Sequence, residues 1–536
     1  MGNISRREFG RRLATGIVGA SIPGISGLAL PGLPEGPVVN DRPNFVFLCS
    51  DQHSAKYAGF AGHSLVKTPN LDRIARGGVN FSAAYCGSPL CVPSRSSMMT
   101  GMYPSDVNSF CNATVYDGTY DTWGKRFRDA GYYCWAVGKQ DLNPAFDLGF
   151  EDAGVEHGHA RKPDITSLFR EPVGYRIGER EGIDGEIHEE TVVGPTKVKN
   201  LTNPERDRRD TDIALRFFRE NSPRLKKPWI AFIGLREPHP VWTGLKRYYD
   251  DYLSHVKIPD VSISELENLP LPFQAMRNFK RISTPIPEER IRRAIAAYFS
   301  MVTELDDRIG EIYRCLEETN QLGNTYFIYT SDHGESLGEH GMWLKSNLYE
   351  GPANIPLVIS GPGLPTGKQI DTPVGHVDLV TTMLELARIP VPGSLRGVSL
   401  SPLLSGRAGQ GPLCAYVESH SEGNPTGSCM IRKGDWKLIH FSYYQDVLFN
   451  LKDDPEERRN RIEDPAVQDV AADMMLTLRR IVDPEEVTER AFAAQKKVLN
   501  TFVREMSEDE LFELMRSRLG DGQARVLVRM LKRTGR

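Results

Sequence analysis

Four short apolar runs in this sequence end in residues that could act on an anion or hold a metal ion. Asn44 to Ser50 leads into Asp51-Gln52-His53, and Tyr132 to Val137 into Gly138-Lys139-Gln140-Asp141. Trp229 to Leu235 leads into Arg236-Glu237-Pro238-His239-Pro240, and Thr325 to Tyr329 is followed by Asp332-His333-Gly334-Glu335. Carboxylates and an amide are oxygen donors for a hard divalent cation. Lysine offers a point charge to an anion, and histidine exchanges protons near neutral pH. One such residue after a strand is ordinarily a turn or a solvated charge. Four endings together form a pattern, because open α/β sheets bind ligands beyond the carboxyl ends of their strands. A fifth piece is Cys91-Val92-Pro93-Ser94-Arg95, which Pro93 and Gly101 frame as a short helix. Cys91 then sits at the helix amino end, where unpaired N–H groups and the dipole favour an anion. The plain alternative is a buried structural cysteine.

Residues placed in this way need a scaffold. The runs are continuously apolar, which suits parallel strands buried on both faces, and Pro356 to Ser360 is another of the same kind. Between them lie helical patterns. Thr211 to Glu220 precedes the third run, and Pro287 to Leu322 holds a long amphipathic helix with Ile291, Ile295, Tyr298, Val302, Leu305 and Ile309 at helical spacing. Pro287 suits its first turn and Gly323-Asn324 its end. Strand and helix alternation predicts an α/β fold with a large, mostly parallel central sheet flanked by helices. After about Gly411 the strand candidates are short: Ala415 to Glu418, Cys429 to Arg432, Trp436 to Phe441 and Val447 to Leu451. Turn residues separate them, which predicts a smaller antiparallel sheet. From Pro465 onward the chain reads as helical and charged. Residues 151–200 are polar, with little periodicity, and carry His157, His159 and His188. A long irregular insertion in a compact enzyme is often a substrate loop.

Composition excludes more than it selects. The 536 residues carry 66 basic and 70 acidic side chains, a net charge of -4, which removes the electrostatic case for nucleic-acid binding. At the amino terminus, Ser5-Arg6-Arg7-Glu8-Phe9 and two further arginines precede an uncharged stretch from Leu13 to Leu30. That is the layout of a twin-arginine export signal, and it predicts passage through the Tat machinery to the periplasm. Four glycines and a proline make the stretch a poor membrane helix, so no stable membrane insertion is expected after signal removal. The eight cysteines include no C-x-x-C pair, which argues against a zinc ribbon.

The Cys91 to Arg95 segment resembles the C-x-P-S-R signature of type I sulfatases, members of the alkaline phosphatase superfamily in which a maturase oxidises the cysteine to formylglycine. Asn44-x-Val46 with Ser50-Asp51 is similar to the same family. So is Ser331-Asp332-His333-Gly334-Glu335 followed by Gly338-Glu339-His340-Gly341, Lys345-Ser346 and Tyr349-Glu350. The resemblance spans about residues 42 to 460. Shorter signals look like the arylsulfatase K subgroup, which acts on 2-O-sulfated glucuronate: Ser88-Pro89-Leu90-Cys91, Lys139-x-Asp141, Pro238-His239-Pro240 and Glu418-Ser419-His420.

The resemblance implies an alkaline-phosphatase-like sandwich and a definite chemistry. Cys91, as hydrated formylglycine, would attack sulfur, release the alcohol, and then expel sulfate as the aldehyde re-forms. Asp51, Gln52, Asp332, His333 and the Cys91-derived oxygen would bind Ca²⁺, with Mg²⁺ the alternative. Gln52 stands where many members carry a second Asp. Arg95 and Lys139 would hold the diol or its alkoxide, Lys345 would grip sulfate, and His239 would protonate the leaving alcohol. Asp141 stands where many members carry His; it would serve as a base or orient Lys139. His420 would contact sugar from the second sheet, with a plain surface histidine the alternative, and His53 and His340 would line the pocket or serve the fold alone. The implied organisation is an export signal over 1–33, a catalytic domain over 40–410, an antiparallel-sheet subdomain over 411–485 and a helical tail over 486–536. The expected activity is hydrolysis of sulfate esters of a carbohydrate, with 2-O-sulfated uronic acid favoured and a formylglycine-generating maturase as partner. One alternative is phosphonate or phosphodiester hydrolysis on the same fold. Another is an exported glycan-binding protein with a dead site, against which the intact set of Cys91, Arg95, Lys139, Asp332 and Lys345 speaks.

Overall fold

The apolar runs become strands buried along most of their length. A computed structural model describes residues 42–161, 164–169, 186–188, 201–280, 282–283, 285–407 and 409–534. The expected export signal and much of the 151–200 insertion lie outside them. The main sheet contains β1 (Asn44–Asp51), β2 (Val79–Phe81), β3 (Tyr133–Lys139), β4 (Glu151–Glu156), β5 (Trp229–Pro238), β6 (Thr325–Ser331), β7 (Leu357–Ser360) and β8 (Lys368–Ile370). Their spatial order is β8-β2-β7-β6-β1-β5-β3-β4. Strand β1 is central and pairs in parallel with both β5 and β6.

Successive side chains of β1 go to opposite layers, as the two-residue period of a strand requires. Phe45 and Phe47 join one core with Trp123, Phe127 and Met98. Val46 and Leu48 join the other, with Leu305 and Ile309. Each such side chain, fully buried, contributes roughly 1.5–3 kcal/mol relative to exposure. The principal flanking helices are α1 (Cys91–Thr100), α2 (Asn203–Arg216), α3 (Glu288–Glu318) and α4 (His376–Leu386).

Two expectations need correction. The 356–360 run forms β7, which pairs antiparallel with both β6 and β2. An apolar run carries no direction, and the chain between β6 and β7 returns through a loop without the crossover that a parallel neighbour would need. The long helix begins at Glu288 and ends at Glu318, with Pro287 outside it as the N-cap and a separate 3-10 turn over Leu322–Asn324.

The smaller sheet forms as expected from β9 (Ala415–Ser419), β10 (Ser428–Lys433), β11 (Trp436–Phe441) and β12 (Val447–Asn450), antiparallel in sequence order. Its Val417, Met430 and Ile439 enter the same core as Phe45 and Phe47. The tail provides α5 (Pro484–Glu505), α6 (Glu508–Leu519) and α7 (Asp521–Thr534). Residues 40–536 form one compact unit. All eight cysteines are unpaired. Among the described residues, no helix is long and apolar enough to cross a membrane.

Candidate active site

Helix α1 is buried at all ten positions, and Cys91 opens it. Gly101 closes it in the left-handed region, at φ 73°, and its N–H returns to Ser97 O. The Cys91 sulfur stands where the carboxyl ends of β1, β3 and β6 converge. Lys345 Nζ lies 3.0 Å from it, His333 Nε2 3.3 Å and Lys139 Nζ 3.7 Å. Asp51 Oδ1 is at 3.7 Å. Donor atoms of Asp51, Cys91, Asp332 and His333 lie within 4.8 Å of one another, and all four residues are buried.

The charges on these groups set one another's protonation. Burial alone would raise the Cys91 thiol, but Lys139, Lys345 and His333 pull it well below the ordinary thiol range. Burial also works against ionised Asp51, yet Lys139, His239 and Lys345 hold its carboxyl below the usual carboxylate range. Asp332 shifts upward, from burial first and the neighbouring Asp51 charge next, with Arg95 opposing.

Arg95 has carboxylate and backbone partners that its residue type did not reveal. Its Nε donates to Asp332 Oδ2 at 2.8 Å and its Nη1 to Lys139 O at 2.6 Å, while Nη2 is 3.7 Å from Asp51. It therefore braces two carboxylates and the Lys139 backbone. Lys139 ion-pairs with Asp51, and its Nζ is 3.3 Å from Asp141 Oδ2. Asp141 thus stands beside Lys139, as either of the two roles left open for it requires.

His239 is half-buried beyond the end of β5, which continues through Arg236 and Glu237 to Pro238. Its Nδ1 is 2.5 Å from Pro240 O, so Nδ1 carries a proton and Nε2 is the atom left to exchange one. His420 is 2% exposed, packed edge-on against Phe110 and 3.6 Å from Glu418, and its backbone oxygen accepts from Gln495. These contacts come from the second sheet, α5 and the loop after α1, outside the cluster on Cys91. His53 bonds Tyr329 and Tyr57 O, and His340 stacks on Tyr349 at 4.0 Å, so both are held by the fold.

The sequence had only hinted at His159. Its backbone N–H donates to Asp141 Oδ1 at 3.2 Å, and its ring Nε2 is 3.9 Å from Asp141 Oδ2. Its ring is also among the neighbours that lower the Cys91 thiol. It lies in the polar insertion, where only its residue type could have marked it.

The donor set suits a hard divalent cation. Two buried carboxylates and an imidazole converge, and Gln52 Oε1 is buried with no hydrogen-bond partner. Asp51, Gln52, Asp332 and His333 are the residues that would hold the ion. The Cys91 sulfur marks where the oxygens of a formylglycine made from it would stand.

Comparison with known proteins gives a consistent result. The family model described as Sulfatase matches residues 43–389, and the model for the carboxyl-terminal part of N-sulphoglucosamine sulphohydrolase matches residues 338–483. The choline-sulfatase of Rhizobium meliloti (strain 1021) is 31% identical over 79% of this chain and 83% of its own. Arylsulfatase K of Danio rerio is 30% identical over 85% of this chain and 87% of its own. Among solved structures, the phosphonate monoester hydrolase of Agrobacterium radiobacter superposes with a TM-score of 0.67 at 23% identity, covering 83% of this chain and 97% of that one. A 2-O GAG sulfatase does so with a TM-score of 0.65 at 23% identity, covering 82% and 92%. At such identities the structural likeness speaks to the fold, that of the alkaline-phosphatase-like sulfatases.

Proposed function

The chain belongs to the sulfatase family and is a sulfuric ester hydrolase, and from that premise we propose that it removes sulfate from a carbohydrate, with 2-O-sulfated uronic acid as the favoured substrate. The observation that carries the reaction class is the convergence of Lys139, Lys345 and His333 on the buried Cys91 sulfur. A sulfate ester brings crowded negative oxygens, and attack on its sulfur needs positive charge placed in advance where charge develops. For the substrate, support comes from the Lys139-x-Asp141 and Glu418-Ser419-His420 resemblance to the arylsulfatase K subgroup and from a solved neighbour that acts as a 2-O GAG sulfatase.

Formylglycine made from Cys91, once hydrated to its geminal diol, would supply a hydroxyl nucleophile with a second hydroxyl beside it, and a bound Ca²⁺ or Mg²⁺ would supply further positive charge. The chain's own residues do the rest. Lys345 and Lys139, both near the Cys91 position, hold the nucleophile and the sulfate oxygens. Asp141 fixes Lys139. His239, anchored through Nδ1, gives the Nε2 proton to the departing alcohol oxygen. Arg95 keeps the buried carboxylates in place. A formylglycine-generating maturase is the implied partner. The twin arginines at Arg6 and Arg7, before an uncharged stretch, support Tat export to the periplasm.

Mass spectrometry of the Cys91 peptide from the native host should find formylglycine; an unmodified thiol throughout the population would overturn the mechanism. Sulfate release should then be seen from saccharides with uronate 2-sulfate. No release from these, with release from choline sulfate, would reject the carbohydrate reading, and faster hydrolysis of phosphodiesters than of any sulfate ester would reject the sulfatase assignment.

A further inference from the structure

We infer that Glu335 is a positioning residue that turns the Gln52 amide so that its oxygen, not its nitrogen, is offered to the cation of the site. Gln52 is held in the left-handed region at φ 71°. Its backbone N–H donates to Asp332 Oδ1 at 3.1 Å, and its backbone oxygen accepts from Tyr298 at 2.8 Å. The side chain then makes one contact: Nε2 donates to Glu335 Oε2 at 2.5 Å. A carboxylate can only accept from an amide, so the nitrogen must face Glu335, and Oε1 is left buried without a partner.

Glu335 is itself anchored. Its other oxygen, Oε1, accepts from Leu337 N at 2.8 Å and Leu344 N at 2.7 Å, within the loop that presents Lys345. The fully buried Glu335 therefore does for Gln52 what partners behind metal ligands commonly do, fixing which atom faces the ion. An aspartate at position 52 would need no such help, because its two oxygens are equivalent. The inference rests on the metal site proposed above and deepens it.

Calorimetric titration of Ca²⁺ into the metal-stripped full-length protein tests it without recourse to activity. Glu335→Gln retains an acceptor for Leu337 and Leu344 but offers an N–H to Gln52 Oε1, and affinity should fall by about 10- to 100-fold. The double variant Glu335→Gln with Gln52→Asp should regain the wild-type affinity, a rescue that mere damage to the loop would not permit. Gln52→Met, which leaves Glu335 and its loop bonds intact, should bind as weakly as the single Glu335 variant. Melting temperatures of the metal-free variants report whether each is folded. Wild-type affinity in Glu335→Gln, or a double variant as weak as that single one, would overturn the inference. If Glu335→Gln fails to fold, unchanged affinity in Gln52→Met overturns it. Failure of the wild type itself to bind Ca²⁺ or Mg²⁺ would instead sink the metal site on which the inference rests.

Discussion

His376 shows how strongly burial acts on one side chain. Its Nε2 is 3.0 Å from Ser331 O and its Nδ1 3.3 Å from Ser94 Oγ, so it ties α4 to β6 and α1. Burial pushes its pKa from 6.5 down to about 3; Arg95 and His333 add to the fall and the Ser331 carbonyl opposes it. A folded-state pKa below the unfolded one gives stability that is complete above pH 6.5 and is lost as pH falls toward 3. One such group costs up to about 1.4 kcal/mol per pH unit within that window. His376→Gln keeps a donor for Ser331 O but has nothing to titrate. In denaturant melts from about pH 6 to pH 4, the stability margin of the wild type over this variant should shrink by about 1.4 kcal/mol per unit. Parallel profiles would show that folding does not depress the His376 pKa.

Strand ends deliver the reactive groups only because neighbouring backbones approach closely. Gly138, at φ 82°, precedes Lys139, and a Cβ there would lie 2.1 Å from Gly234 O on β5. Gly138→Ala is expected to cost about 1–2 kcal/mol from the left-handed conformation alone, with further loss from the collision. Lys139 should move off Asp51, so urea melts should show lower stability and turnover should fall with it; wild-type values for both would refute this account. How far these elements were legible follows from the same physics. Asp51, Lys139, His239 and Asp332 could be read because parallel strands are continuous apolar runs and their carboxyl ends carry the chemistry. Cys91 could be read from the Pro and Gly that frame α1. The direction of β7 could not, because it depends on the loop that brings the chain back. Nor could the Asp141–His159 contact, which joins residues across a polar insertion without periodicity. Arg95 was found but its partners were not: residue type gives a charge, and packing decides which carboxylates it meets.

At the scale of the molecule the tail acquires a structural role that its amphipathic pattern alone could not specify. Leu511 and Met515 of α6 and Ala524 and Val528 of α7 are buried in one cluster with Leu90, Cys111, Ile165 and Leu168. Leu90 is the N-cap of α1, immediately before Cys91, and Ile165 and Leu168 come from the insertion that also supplies His159. The two helices thus back both the nucleophile's helix and the segment beside it. Ending the chain after Met506 would uncover these side chains. Each large one returned to water forfeits roughly 1.5–3 kcal/mol, offset in part by the ordering entropy of the helices removed. The melting temperature of the truncated protein should fall. Hydrogen exchange should rise first over residues 165–168 and the first turn of α1, while β1 and β5, deep in the main sheet, keep their protection. Because α1 carries Cys91, turnover should fall more than the loss of folded protein accounts for. Unchanged exchange at Leu90 and at 165–168, with full activity, would mean that α6 and α7 cover this surface without supporting the site.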